Sequence, residues 1–145
     1  MHVLVQFYIY ISGFFEKYRT EYIRVLSEAN KRGKFNEWIL FFLEAVKEQS
    51  QEALEKATKL QKLKEQYREK IQEETQSTLM LQAVDNLFIN PYIRITKLEK
   101  QLNTTYPTAK RIVEKLIGLN ILKQINDAER NKTYLAKEIM EIIEL

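Results

Sequence analysis

Three glycines and two prolines are the only strong backbone breakers in a chain of 145 residues, and that scarcity limits the fold more than any motif does. Glycine supplies left-handed turns and proline fixed kinks, which a sandwich or barrel needs at every corner. A chain with so few of them reads as long helices, without the Gly-rich loops that cradle phosphates. Its apolar share of 45% and charged share of 30% exclude both a disordered polymer and a membrane bundle. A chain of this size can bury about 68% of its unfolded surface, so it folds without an external staple.

Twenty-three Lys and Arg against twenty Asp and Glu leave a formal charge of +3. That is too small for the whole chain to coat nucleic acid, so the placement of charge carries the information. The absence of cysteine excludes a disulfide framework, thiolate chemistry and sulfur-ligated zinc, and it fits a reducing, cytoplasmic setting. The single histidine, His2, lacks a second imidazole to share a metal and an acid placed to orient it as a base. No catalytic set, metal site or cofactor is expected. The apolar run from Val3 to Phe15 spans thirteen residues, short of the roughly 20 a spanning helix needs. It also lacks the basic flank and small-residue cleavage site of a secretory signal, so no membrane partner is expected.

The apolar pattern divides the chain into a helical segment over residues 1–76 and a second module over 77–145. Phe15, Tyr18, Tyr22, Val25 and Leu26 recur at spacings of three and four, which predicts a helix from about Val3 to Ala29, bent at Gly13. Asn30-Lys31-Arg32-Gly33 reads as its C-terminal stop. Trp38, Phe41, Phe42, Ala45 and Val46 resume the period from Phe35 to about Gln49, giving an antiparallel helical hairpin. From Glu44 to Gln76 seven Lys or Arg mix with eight Glu, and Ala53, Ala57, Leu60, Leu63, Tyr67 and Ile71 keep a narrow apolar stripe. This is a single long helix whose Glu and Lys lie at pair-forming spacings, a solvated face rather than a carboxylate metal site. The stripe is expected to pack on the N-terminal hairpin, or alternatively to pair two copies of the chain.

The second module has a different grammar. Leu79, Ala83, Val84, Leu87 and Phe88 make a helix closed by Asn90 and Pro91, because a residue before proline leaves the helical region. Ile93-Arg94-Ile95 forms a short extended piece. Thr96 then caps a helix carrying Leu98 and Leu102, with Glu99 at the capping-box position. After the turn Asn103-Thr104-Thr105, Pro107 sits at the start of a helix reaching about Asn120. That helix turns Ala109, Ile112, Val113, Leu116 and Ile117 inward. Residues 121–125 and 133–135 form two matching strands around a polar stretch, and Ile139, Ile142 and Ile143 close on a last helix. The fold class is therefore mainly α: a helical hairpin and long helix, then a winged helix-turn-helix with a small β-hairpin.

In that order of elements the third helix of the module keeps one face for the core and presents the other, and a major groove is wide enough to admit it. From Arg94 to Leu135 nine basic residues meet four acidic ones, a net of +5, which leaves −2 for the rest of the chain. Thr104, Thr108, Arg111 and Lys115 fall on one side of the helix, with Thr105, Tyr106 and Lys110 flanking its start. In a complex with double-stranded DNA, Thr108 and Arg111 are placed for base edges, Thr105 and Tyr106 for phosphates, and Arg130 and Lys132 on the wing for adjacent backbone. The competing reading is a solvated helix face in a module that contacts proteins.

Three runs carry a family resemblance: Gln6-Phe7-Tyr8-Ile9-Tyr10-Ile11-Ser12, Phe15-Glu16-Lys17-Tyr18-Arg19-Thr20-Glu21-Tyr22-Ile23, and Trp38-Ile39-Leu40-Phe41-Phe42-Leu43-Glu44-Ala45-Val46. Together they resemble the end of the Fic domain. Tyr106-Pro107-Thr108-Ala109 and Leu119-Asn120-Ile121-Leu122 are similar to the winged module that follows the Fic core in many bacterial members. Fic proteins transfer nucleotide monophosphates, usually AMP from ATP, to hydroxyl side chains of target proteins, through a His-Pro-Phe-x-Asp/Glu-Gly-Asn-Gly-Arg-x-x-Arg motif. No such run occurs here, and His2 is followed by Val3, so no catalytic residue carries over. The resemblance implies a C-terminal part of a Fic-family protein, starting after the active-site helix; with the charge pattern above, the expectation is a non-catalytic chain whose winged module binds DNA in a regulatory role. Its alternative is an interaction or dimerisation module that regulates a Fic core. Leu4, Phe7, Tyr8 and Ile11 would normally face the catalytic helices, which predicts a homodimer through this apolar helix or the long helix.

Overall fold

The computed structural model describes residues 10–75, 77–126 and 132–144, and helices dominate them as the scarcity of breakers requires. In chain order the elements are α1 (Ile11–Lys17), α2 (Arg19–Arg32), α3 (Phe35–Glu74), α4 (Thr78–Leu87), β1 (Tyr92–Ile93), α5 (Ile95–Gln101), α6 (Tyr106–Gly118), β2 (Lys123–Gln124), β3 (Tyr134–Leu135) and α7 (Lys137–Glu144). The two overlapping helical stretches read between Phe35 and Gln76 are one helix of 40 residues. No described helix is long and apolar enough to cross a membrane. The packing forms two units, one whose described part spans residues 10–57 and one whose described part runs from Thr58 onward.

In the first unit, α1 and α2 fold back along the start of α3 around a cluster of rings. Phe14 is buried and lies 5.4 Å from Phe41, Phe15 stacks on Tyr22 at 4.8 Å, and Trp38 stacks on Phe42 at 5.5 Å. The break in the first helical stretch falls at Tyr18, not at the expected Gly13. Tyr18 leaves helical geometry with its ring 4.5 Å from that of Phe14. Gly13 is helical, and the Tyr10 ring sits where its side chain would begin: an added Cβ would meet it at 2.5 Å. The stop expected at Gly33 is present. With φ of 65°, its N–H donates to the Ala29 carbonyl at 3.0 Å in a left-handed cap. Leu4, Phe7 and Tyr8 lie outside the described residues, so the expected apolar helix of the N-terminus is represented here by Ile11 onward.

The second unit begins inside α3, earlier than the composition change at 76–77, which falls at the turn between α3 and α4. Leu60, Leu63, Tyr67 and Ile71 are all buried, but their neighbours lie in the C-terminal module rather than in the hairpin favoured by the sequence pattern. The Tyr67 ring lies 5.9 Å from Phe88, and its hydroxyl donates to Glu138 on α7 at 2.8 Å. Lys64 and Arg68, one turn apart on α3, meet Asp85 of α4 at 2.9 and 3.0 Å. The rest of the core comes from α4 (Met80, Ala83, Val84, Leu87), α5 (Leu98), α6 and Ile139 of α7.

The expected two-stranded ribbon is a three-stranded antiparallel sheet of order β1-β3-β2. β1 pairs Tyr92 with Leu135 and Ile93 with Tyr134, while Lys123 and Gln124 occupy the other edge of β3. Pairing stops at Ile93 because Arg94 already serves as the N-cap of α5, its carbonyl accepting the N–H groups of Lys97 and Leu98. Thr96 is consequently inside the first turn, and the expected capping box with Glu99 does not form.

Burial first, and then the Glu138 carboxylate, hold the Tyr67 phenol well above its ordinary range. A protonated Tyr67 thus favours the folded state. Its contribution is whole below the unfolded pKa near 10 and is lost as pH rises through the higher folded value. In urea melts Tyr67→Phe is expected to cost about 1–2 kcal/mol at neutral pH. Above about pH 10 the variant should lose stability less steeply than the parent, and parallel slopes would remove this assignment.

Candidate nucleic-acid interface

The turn between α5 and α6 is built by two hydrophobic anchors and one left-handed residue. Leu98 and Leu102 are buried, which fixes the end of α5. Asn103 then takes φ of 47°, a conformation asparagine tolerates better than most side chains. The Thr104 N–H donates back to Glu99 at 3.0 Å, closing the turn. Thr105 is extended and caps α6 through its carbonyl, which accepts the Ala109 N–H at 2.9 Å. The Thr105 and Thr108 hydroxyls are hydrogen-bonded to each other at 3.0 Å, and either can donate. Pro107, second in the helix, needs no intrahelical donor there.

α6 is oriented by its apolar face. Ala109, Ile112, Val113 and Leu116 are buried, while Tyr106, Lys110, Arg111, Glu114 and Lys115 are exposed. Ile117, expected inward, is 37% exposed instead. At 100° per residue it lies to one side of the arc that Ile112, Val113 and Leu116 define. The helix ends where Asn120 turns left-handed, φ 58°, and the Ile121 and Leu122 N–H groups both reach the Leu116 carbonyl.

Of the residues singled out from the sequence, Thr105, Tyr106, Lys110, Arg111 and Lys115 stand on the outer surface of the α6 region, with Thr104 and Thr108 half-buried beside them. Lys132 is exposed at the approach to β3, and Arg130 lies outside the described residues. Two further cations join the same unit's surface: Lys123 on β2 and Arg94, whose Nε donates to the Thr133 hydroxyl at 3.3 Å. Both were visible in the charge count, but only strand pairing places them beside the hairpin. Among the described residues the one ion pair on α6, Lys110 with Glu114 at 3.7 Å, joins two mostly exposed groups and contributes little. Beneath the helix, burial raises the Tyr134 phenol, with smaller contributions from Tyr106 and Glu114. Among the described residues no group of acids and histidine is arranged to hold a metal.

Helix, short strand, helix, tight turn, helix and hairpin follow one another along this unit, in the order expected from the sequence. Residues 63–139 match the family described as the C-terminal domain of SoFic-like protein adenylyltransferases. That match spans more than half of the chain, so the protein belongs to this family. It starts within α3, close to Thr58 where the second unit begins. No curated protein matches the chain. The resemblance to the C-terminal part of a Fic-family protein is therefore borne out.

The outward side chains of α6 can be altered without touching its core. Lys110→Ala and Arg111→Ala should change unfolding free energy by no more than about 0.5 kcal/mol, whereas Leu116→Ala should cost about 2–5 kcal/mol. Urea titration followed by circular dichroism measures both, and a large loss in either charge variant would mean the exposed face is misassigned.

Proposed function

We propose that the C-terminal unit binds double-stranded DNA through α6 in a regulatory role, and that the chain carries no nucleotidyl transfer of its own. The observation that supports this most is the exposed row Lys110, Arg111 and Lys115 on a helix whose opposite face is wholly buried. In the groove, Thr108 and Arg111 meet base edges, and Thr105 and Tyr106 contact phosphates at the start of the helix. Lys132 and Lys123 grip backbone from the hairpin, and Arg130 belongs to the same grip by sequence. The net +5 between Arg94 and Leu135 supplies the attraction. A chain with no cysteine and no described membrane-crossing helix is suited to the cytoplasm, where we place it.

Titrating the protein into a labelled random duplex at low and moderate salt tests the reading. Affinity should fall steeply with salt, Lys110→Ala should reduce the salt slope by about 1, and Arg111→Ala should weaken binding by about 1–3 kcal/mol. No binding at low salt would end it.

A second reading rests on the first unit, where α3 is apolar on more than its packed side. Phe35, Ile39, Leu40 and Leu43 are 57%, 45%, 67% and 54% exposed. A helix that is hydrophobic all round belongs inside a larger assembly, which supports an interaction module, as a homodimer or against a Fic core. Light scattering of the protein and of Leu40→Glu separates the outcomes. A dimer that the substitution dissociates supports self-association, and a parent that is monomeric throughout the micromolar range excludes it.

A further inference from the structure

A cavity of about 230 Å³ opens beside α6, walled on its other side by the start of α4 and the residues just before it. Arg111 and Lys115 line it from α6 together with Thr108, and Thr75 and Ser77 line it from the opposite wall. The two cations are one helical turn apart, so their heads reach the same space. Among the described residues neither makes an ion pair, and no carboxylate lines the cavity. The Ser77 side chain makes no capping hydrogen bond, although Ser77 is the cap residue of α4. Apolar neighbours, Met80 among them, form part of the wall, while Arg111 and Lys115 are exposed and open to an incoming anion.

Two unpaired cations faced by hydroxyl donors, with no acid present, define a receptor for a compact dianion. We propose that this cavity binds a phosphate monoester, its oxygens taken by Arg111 and Lys115 and its remaining lone pairs by Ser77, Thr75 and Thr108. Guanidinium is suited to the fork of two phosphate oxygens, and lysine adds a point charge. A monoester matches the pair's charge of two, whereas a phosphodiester of a nucleic-acid backbone carries one and must leave the cavity on both sides. The volume lies below the usual range for drug-sized ligands, roughly 300–1,000 Å³, so it suits a phosphoryl group with a small substituent. A consequence that rests on the DNA reading is competition: an occupied cavity withdraws Arg111 and Lys115 from the duplex.

Phenyl phosphate is the probe, followed by amide NMR of the full chain at constant ionic strength. Saturable shifts confined to Ser77, Thr78 and the Arg111–Lys115 turn are expected. Affinity should drop at least tenfold in Arg111→Gln and in Lys115→Gln, and stay unchanged in Lys62→Gln, which removes the same charge from an exposed site on α3. Between about pH 7.5 and pH 5 it should fall roughly tenfold, because the second ionisation of a phosphate monoester lies near pH 6. Dimethyl phosphate, the diester, should bind at least tenfold more weakly. Absence of saturable shifts, or equal affinity for the diester, would overturn the proposal, the latter assigning the cavity to nucleic-acid backbone. Phenyl phosphate binding by a protein that ignores duplex DNA would leave this site standing and remove only the DNA reading.

Discussion

The inward face of α6 is the contact on which the C-terminal unit depends. Ala109, Ile112, Val113 and Leu116 are almost completely sealed from solvent, and each buried large side chain is worth about 1.5–3 kcal/mol over an exposed one. Rotating the helix by a single position in either direction would exchange two of the four for charged side chains, a penalty no surface ion pair could offset. Lys110, Arg111 and Lys115 are therefore outside because the apolar residues are inside. The turn at Asn103 and the stop at Asn120 hold the two ends of that arrangement, both through left-handed backbone.

The second half of α3 is bound to this module as firmly as any of its own helices. Tyr67 is 1% exposed and Ile71 fully covered, and Tyr67 joins α3 to α4 through a ring contact and to α7 through a hydrogen bond. Asp85 receives Lys64 and Arg68 at the rim of that contact. These groups are only partly buried, so they set register more than they stabilise. The family match beginning at residue 63 follows the same physical boundary. In the first unit the aromatic rings fill the space between α1, α2 and α3, yet the same stretch of α3 carries Leu40 and Leu43 on an uncovered side. One helix thus meets two different packing demands along its length.

Several elements were legible because a local rule was strong. Gly33 ends α2 as a left-handed cap, the strand-like run after Asn120 contains β2, and the apolar period of residues 109–116 gives the inward face of α6. Where the reading failed, a local feature it had not weighed decided the outcome. Gly13 looked like a bend until the Tyr10 ring occupied its open side, Thr96 looked like a cap until Arg94 left the strand one residue earlier, and Ile117 fell beyond the covered arc. Of the candidate site, the α6 residues were readable from spacing alone. Arg94 and Lys123 were not, since their neighbours on the hairpin lie more than nine positions away in sequence.

Amino-acid order alone determined the helical character, the sites of the turns, the excess of positive charge after Arg94 and the kinship with the C-terminal part of Fic-family proteins. These follow from residue types and near-neighbour spacing, which act over one or two turns of chain. Tertiary structure alone decided that α3 divides its loyalty at Thr58, that β1 joins the hairpin through β3, and that Arg111 and Lys115 share a cavity with Ser77. Each of those brings together segments separated by tens of residues. No periodicity encodes such meetings, because they arise only when separate apolar faces compete for the same interior.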